Sequence, residues 1–343
     1  MSNPPTGTMR ALVLERPGAL TLGEVPIPTP GFGEVLVQVK AATTCGTDLK
    51  AYVRGHPQIP MPGVFGHEYS GMVSAVGKGA KFEVGDAVMG VHSAPCQTCF
   101  WCVRGQENLC ESLMATKVLG SFAEYLLIPE RIASLNVFHK PPVLSFERAS
   151  LLEPLACVAQ GLVRLRRVLE ESIAPRILVI GPGAIGLMFV AVLHSISEDV
   201  TLAGRNEDRL AVGERLGARA LRFDKLDAEL GHGFDAVIEC TGSVDVWERA
   251  PSFARRGGTV MLFGGCPSGT KASYDTARLH YDQITLLSSF HFGTEAVGLA
   301  HVWLLDPKLD LDLLLTSERP LEDGPAVFEE LKAGQGIKVV LRP

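Results

Sequence analysis

Cys45-Gly46-Thr47-Asp48 and Gly66-His67-Glu68 bring a thiol, an imidazole and carboxylates into one short stretch of a 343-residue chain. Thiolate, imidazole and carboxylate are the side-chain types that bind zinc. A second group follows, Cys96, Cys99, Cys102 and Cys110, spaced C-x2-C-x2-C-x7-C. Such short spacings let successive sulfurs turn onto one ion, and four thiolates close a tetrahedral site with no position left for substrate. This group predicts a structural zinc, with a single iron–sulfur centre as the alternative. It should fold a lobe over about 92–113 that has little else to build a core from.

The third chemical element is Gly181-Pro182-Gly183-Ala184-Ile185-Gly186. It is G-x-G-x-x-G with an apolar strand before it and an apolar helix after it. Gly181 permits the turn, Gly183 lets backbone approach a pyrophosphate, and Gly186 lets helix pack on strand. With Ala184 and Ile185, the loop offers helix N–H groups to phosphate. Cys240 and Thr241, at the end of a later strand, are assigned to the same cofactor site, although Cys240, like Cys266, also reads as an ordinary buried residue. About twenty residues after the loop, an acidic side chain would hold the ribose hydroxyls of NAD. Gly204 stands there instead, followed by Arg205, with Arg209 one turn on. A guanidinium suits a 2′-phosphate, so NADP is expected over NAD.

These groups need positioning by two kinds of architecture. Residues 9–14, 34–40, 64–76 and 86–91 read as short strands punctuated by Gly and Pro, as in a barrel-like all-β unit. The metal-type residues at 45–68 then lie on loops and strand ends. A helix is expected over 145–169 and a domain boundary near 148. Beyond it, strands at 176–181, 200–203, 236–240, 259–263 and 284–290 alternate with helices at 187–196, 209–216 and 246–255. That alternation predicts a doubly wound parallel sheet. Helices at 294–305 and 327–331 and a strand at 337–341 close the chain.

Composition bounds the remaining possibilities. Hydrophobic residues make up 46%, enough for large cores, and the net charge of −6 gives no electrostatic reason to expect nucleic acid or an anionic membrane as partner. With no long apolar run and no signal core near the start, a cytoplasmic protein with reduced thiols is expected, and metal binding is the better use of a cysteine cluster.

Taken together, the chain resembles the zinc-containing medium-chain dehydrogenases/reductases, in the sorbitol and threonine dehydrogenase branch. The resemblance rests on Cys45-Gly46-Thr47-Asp48, Gly66-His67-Glu68, the 96–110 cysteines, Glu153-Pro154-Leu155 and the 181–186 loop, in that order. It implies an α/β fold: a GroES-like β-barrel catalytic domain (1–148, with the tail 293–343 returning to it) and a Rossmann domain (149–292). It implies a catalytic zinc held by Cys45, His67, Glu68 and Glu153, with Glu153 where the polyol branch has a carboxylate. Cys157 is off that position. Thr47 would receive the substrate proton and Asp48 would stand behind the ligands. Lys50 occupies the place of a proton-relaying histidine in many relatives, a departure from the pattern. A homodimer or homotetramer is also implied.

The expected activity is reversible oxidation of a secondary alcohol (a polyol, sugar, cyclitol or hydroxy amino acid) to a ketone, with hydride passing to NAD(P). Threonine 3-dehydrogenase is the specific alternative, and a non-catalytic zinc- and nucleotide-binding redox sensor is the alternative from another class. A zinc-free quinone reductase should lack both the ligand set and the cysteine lobe. Segments 55–58, with His56, and 288–291, with His291, are expected wall elements of the substrate pocket.

Overall fold

The computed structural model describes residues 5–171, 174–197, 199–226 and 233–343. Contacts divide the chain into two compact units: Met1–Ala156 with Phe292–Leu305 and Leu315–Pro343, and Cys157–His291 with Asp306–Leu314. Segment 306–314 thus groups with the second unit, a detour inside the tail that helix–strand order alone does not reveal.

The first unit is built around the Val35–Thr43 strand. It pairs antiparallel with Glu68–Val76, Tyr125–Ile128 and Lys338–Arg342, the last supplied by the tail. Its register with Glu68–Val76 slips twice, at Leu36/Val37 and Val39/Ala41. Such bulges bend a strand and increase its twist, which is how a sheet curls toward a barrel. A smaller sheet of Ala19–Pro26, Thr8–Arg16 and Gly63–Val64 completes the β-structure.

Two of the sequence expectations that the structure corrects concern the stretch 45–68. The strand expected over 64–76 is two strands, Gly63–Val64 and Glu68–Val76, broken at Phe65-Gly66-His67. Gly66 has φ +90°, and a Cβ there would meet the Phe122 ring closer than 3.0 Å. Phe65 packs edge-on to Phe122 with centroids 5.2 Å apart and lies 5.3 Å from Phe328 of the tail helix Gly324–Lys332. A buried phenylalanine contributes about 1.5–3 kcal/mol, so this aromatic cluster pins the break that presents His67. Secondly, 45–68 is not only loop and strand end. Gly46–Arg54 is a helix whose N-cap is Cys45, with Cys45 Sγ accepting from the Thr47 N–H at 3.4 Å. Its short apolar face, chiefly Ala51 and Tyr52, is too sparse to show a helical period in the sequence.

The helix expected over 145–169 is also two. Phe146–Ala149 is capped by Ser145, whose Oγ accepts from the Arg148 N–H at 3.1 Å, and Leu152–Glu171 follows. Pro154 sits in the first turn of the second helix, where its missing N–H would have had no helical partner. That turn carries Glu153.

The second unit is a six-stranded parallel sheet, in the order Arg219–Arg222, Val200–Gly204, Ile177–Ile180, Phe234–Glu239, Ala254–Leu262, Thr285–Ser288. Strand order reverses at Ile177–Ile180, the switch point where such sheets bind nucleotides. All four residues of that strand are buried, as a strand covered on both faces must be. The helix after it begins at Ala184, inside the glycine motif and three residues earlier than expected, with Gly183 as its N-cap. No described helix is long and apolar enough to cross a membrane.

Candidate active site

In the first unit, Cys45, His67 and Glu68 each offer a ligand atom, and these atoms lie within 4.8 Å of one another. The capping of the 46–54 helix fixes the cysteine, and the break at 65–67 fixes the histidine. His67 Nδ1 faces Asp48 Oδ1 at 3.2 Å, and Asp48 is fully buried. Metal-binding histidines regularly give their other ring N–H to a carboxylate, which sets tautomer and orientation. Burial alone would lower the His67 pKa, but Asp48 and then Cys45 outweigh it and hold the imidazole well above its ordinary value.

Glu153 lies outside the mutually close trio, yet its Oε2 is 3.9 Å from His67 Nε2. Two nitrogen and oxygen ligands of one zinc sit roughly 3.4 Å apart, from bond lengths near 2.0–2.1 Å, so a small movement of Glu153 suffices. Its other oxygen is 3.2 Å from Nδ1 of His92, a buried residue that the sequence reading missed. Burial holds the His92 pKa below its ordinary value against the pull of Glu153. The His92 ring stands edge-on to His67 (5.0 Å) and to Phe292 (5.8 Å).

Glu68 is also met from behind. Lys338 Nζ donates to both its oxygens, at 2.6 and 2.5 Å, and to Thr44 O at 3.0 Å, while Thr43 Oγ1 donates to Oε2. Lys338 is buried, and although burial would lower its pKa, Glu68 holds it above the ordinary lysine value. Thr47 is half-buried in the first turn of its helix and Lys50 half-buried one turn on.

The four-cysteine lobe brings its sulfurs within 4.8 Å of one another. Cys99 and Cys102 Sγ are 3.5 Å apart and Cys96 and Cys102 Sγ 3.9 Å. Sulfur ligands of one tetrahedral zinc lie roughly 3.8 Å apart, from 2.3 Å bonds. All four are free thiols, and N–H and hydroxyl donation, first from Thr98 and then from Cys99, pulls Cys96 down to about 5. The lobe's own core is small, Cys102, Cys110 and Leu113 with Cys96, Cys99 and Met114 against it. The donor set fits a structural zinc.

In the second unit, a cleft of about 220 Å³ opens at the switch point, lined in part by Gly181, Gly204, Arg205, Phe223, Thr241 and Val246. A Cβ on Gly183 would meet nothing within 4 Å, so its backbone faces open space, whereas one on Gly186 would collide with Gly181 O. This is the cradle a pyrophosphate needs. Arg205 is exposed and forms no ion pair among the described residues. Arg209 donates its backbone N–H to Asn206 Oδ1 at 3.0 Å, and burial lowers the pKa of its guanidinium. Thr241 is held by buried Glu239, whose carboxylate accepts from the N–H groups of Thr241 (2.6 Å) and Gly242 (3.1 Å). Cys240, whose N–H goes to Ile180 O at 2.8 Å, is not on the cleft wall. Of the two expected wall segments, 55–58 falls in the first unit and 288–291 in the second.

Known proteins resemble this chain over nearly its whole length. The alcohol dehydrogenase GroES-like domain matches residues 31–138 and the zinc-binding dehydrogenase domain residues 184–303. L-threonine 3-dehydrogenase of Yersinia pestis is 30% identical, with 97% of this chain and 99% of that one covered. Among solved structures, an alcohol dehydrogenase from Thermus sp. ATN1 is 29% identical with a TM-score of 0.86, covering 97% of this chain and 99% of that one. A protein described as a zinc-binding dehydrogenase from Sinorhizobium meliloti 1021, bound to NADP, is 28% identical with a TM-score of 0.85, covering 98% and 100%. The chain belongs to the zinc-binding alcohol dehydrogenase family and is a zinc- and NAD(P)-dependent oxidoreductase acting on secondary alcohols.

Proposed function

We propose that Cys45, His67, Glu68 and Glu153 supply the donors of the catalytic zinc, and that the substrate is a secondary alcohol carrying further polar groups, a polyol, cyclitol or hydroxy amino acid. The observation behind this reading is His67, fixed through Nδ1 by buried Asp48 and directing Nε2 at Glu153. Zinc would supply Lewis acidity toward the substrate oxygen and NAD(P) the hydride acceptor. The protein's own groups do the rest. Asp48 keeps His67 in one tautomer. Burial pushes the Glu68 carboxyl up to about 7 against the pull of Lys338, which donates to both its oxygens and draws it back, leaving a donor that can approach or withdraw as substrate exchanges. The Thr47 hydroxyl takes the substrate proton, and either Lys50, one helical turn on, or a ribose hydroxyl and water hand it to solvent. Phe292 and buried His92 keep water from the ligand cluster. Similarity to L-threonine 3-dehydrogenase of Yersinia pestis makes threonine the first amino alcohol to try.

The cofactor is assigned as NADP on Gly204 and Arg205, the catalytic region as 1–148 with 293–343, and the nucleotide region as 149–292. A cytoplasmic homodimer or homotetramer is proposed from the family resemblance, with sedimentation velocity as its check. The main test is metal analysis with activity. Cys45→Ser and His67→Ala should each lose one of two zinc ions and all alcohol oxidation, while the zinc of the four-cysteine lobe stays. Full activity in a variant retaining one zinc per chain would sink the assignment. A screen of secondary alcohols, polyols and L-threonine with both cofactors, followed by absorbance of the reduced nicotinamide, identifies the substrate.

A further inference from the structure

Gly204 ends the Val200–Gly204 strand and is buried. Its φ is not positive, so the backbone does not call for glycine there. Space does. An ideal Cβ on Gly204 would come closer than 3.0 Å to both Cδ and Cγ of Pro182, and to 3.4 Å from its Cβ. Real Cβ atoms essentially never approach that closely. Pro182 cannot swing aside as a flexible side chain would, because its ring is closed onto the backbone nitrogen and its φ is fixed. The loop that carries it is tied to the same strand by the Gly181 N–H, which donates to Ala203 O at 2.8 Å. A glycine inside a strand without a backbone reason marks a close approach by another group. Here that group is the second residue of the glycine loop.

Position 204 is where an acidic side chain would grip the ribose hydroxyls of NAD. We propose that Pro182 is a cofactor-specificity residue: its ring occupies the space of any side chain at 204, locks that position to glycine, and so excludes the carboxylate that would select NAD. Arg205, exposed on the same cleft wall, is then the group left facing the 2′ position of the ribose. The inference rests on the reading that this cleft takes the adenosine end of the cofactor. It adds that selectivity is set by two residues jointly, and that no acidic residue can be accepted at 204 while Pro182 stands.

The test is a mutant cycle on the full-length, zinc-loaded protein, read by calorimetric binding of 2′,5′-ADP and of 5′-ADP. Gly204→Ala adds only the colliding carbon. It should weaken both fragments about tenfold or more, the scale of an overpacking cost, and Pro182→Ala in the same chain should restore them. Gly204→Asp alone should bind neither fragment well. Gly204→Asp with Pro182→Ala should recover 5′-ADP and not 2′,5′-ADP. Thermal unfolding of each variant covers the case in which the collision is expressed as misfolding, where rescue of folding by Pro182→Ala supports the same lock. If Gly204→Ala or Gly204→Asp binds 5′-ADP equally well with and without Pro182→Ala, the lock does not exist. Equal affinity of the unaltered protein for the two fragments would sink the NADP reading alone, since coupling between 182 and 204 is measured within either fragment. Failure of the unaltered protein to bind either fragment would overturn both.

Discussion

Lys338 and Glu68 form an ion pair in which both side chains are essentially inaccessible, 1% and 0% exposed. Three acceptors surround the ammonium: both Glu68 oxygens, at 2.5 and 2.6 Å, and Thr44 O at 3.0 Å. Removing one partner of such a pair leaves a buried charge without compensation and costs about 3–5 kcal/mol. Lys338→Met keeps the length and apolar stem of the side chain, so the loss is electrostatic rather than a cavity. At roughly 2–4 °C per kcal/mol for a domain of this class, the first unit should melt about 6–20 °C lower. Differential scanning calorimetry on zinc-loaded protein at neutral pH is the assay. Adding Glu68→Gln to Lys338→Met removes the orphaned charge while keeping an oxygen where the zinc donor is proposed, and most of the loss should return. A single variant that loses less than about 1 kcal/mol, the worth of an exposed pair, would refute the reasoning. So would a double variant no more stable than the single.

Arg205→Ala should weaken NADP binding by about 1.5–3 kcal/mol, the scale of a charge-assisted hydrogen bond, and leave NAD binding unchanged; titration calorimetry with both cofactors checks it, and an equal loss for NAD would contradict it. Cys99→Ser should release one zinc and expose the 92–113 lobe to limited proteolysis while the rest of the chain resists, because the lobe's own apolar core is so small; an uncut lobe in a zinc-depleted variant would show that packing suffices. Asp235 lies beside the Arg176 N–H and Arg255, which hold its pKa below the ordinary value although burial would raise it. A depressed carboxylate stabilises the fold above its unfolded pKa and loses that contribution as pH falls through the folded one. Asp235→Asn should therefore be less stable than the parent at neutral pH, with the difference constant above the ordinary carboxylate pKa and shrinking as pH falls below it through the lowered folded one; a difference in unfolding midpoints that does not shrink on acidification below the ordinary carboxylate pKa would contradict it.

What was legible in the sequence is local, and what was not is long-range. The cysteine spacing, the adjacent His67 and Glu68 and the glycine loop each encode their chemistry within a few residues, so type and spacing were enough. Five strands of the parallel sheet were legible because strand and helix periods alternate cleanly after residue 176; the sixth, the edge strand Arg219–Arg222, was not, since its four residues carry no buried apolar run. The helix at Gly46–Arg54 was missed, although a signal existed: Cys45 before Gly46-Thr47-Asp48 follows the order of an N-cap with an acidic residue at the third helical position, with sulfur in place of oxygen. His92 and Lys338 had no local signal tying them to the site. Lys338 meets Glu68 across 270 residues of sequence, through tail pairing with the Val35–Thr43 strand that no periodicity specifies. A lysine within the otherwise apolar run of residues 337–341 was the only hint, and only a buried partner could explain it.

Gly204 shows the same limit from the other side. Sequence reasoning saw a missing carboxylate and inferred a cofactor preference from Arg205. The fold shows that the carboxylate is not merely absent but has no room, because a proline 22 residues earlier fills its place. A glycine at a strand end that looks permissive alone becomes obligatory while Pro182 stands, because the parallel pairing of Ile177–Ile180 with Val200–Gly204 brings the loop proline against it. On the proposal made here, cofactor specificity in this unit is a property of the pairing. A substitution scan that varied position 204 alone would find glycine required and misread that requirement as backbone geometry.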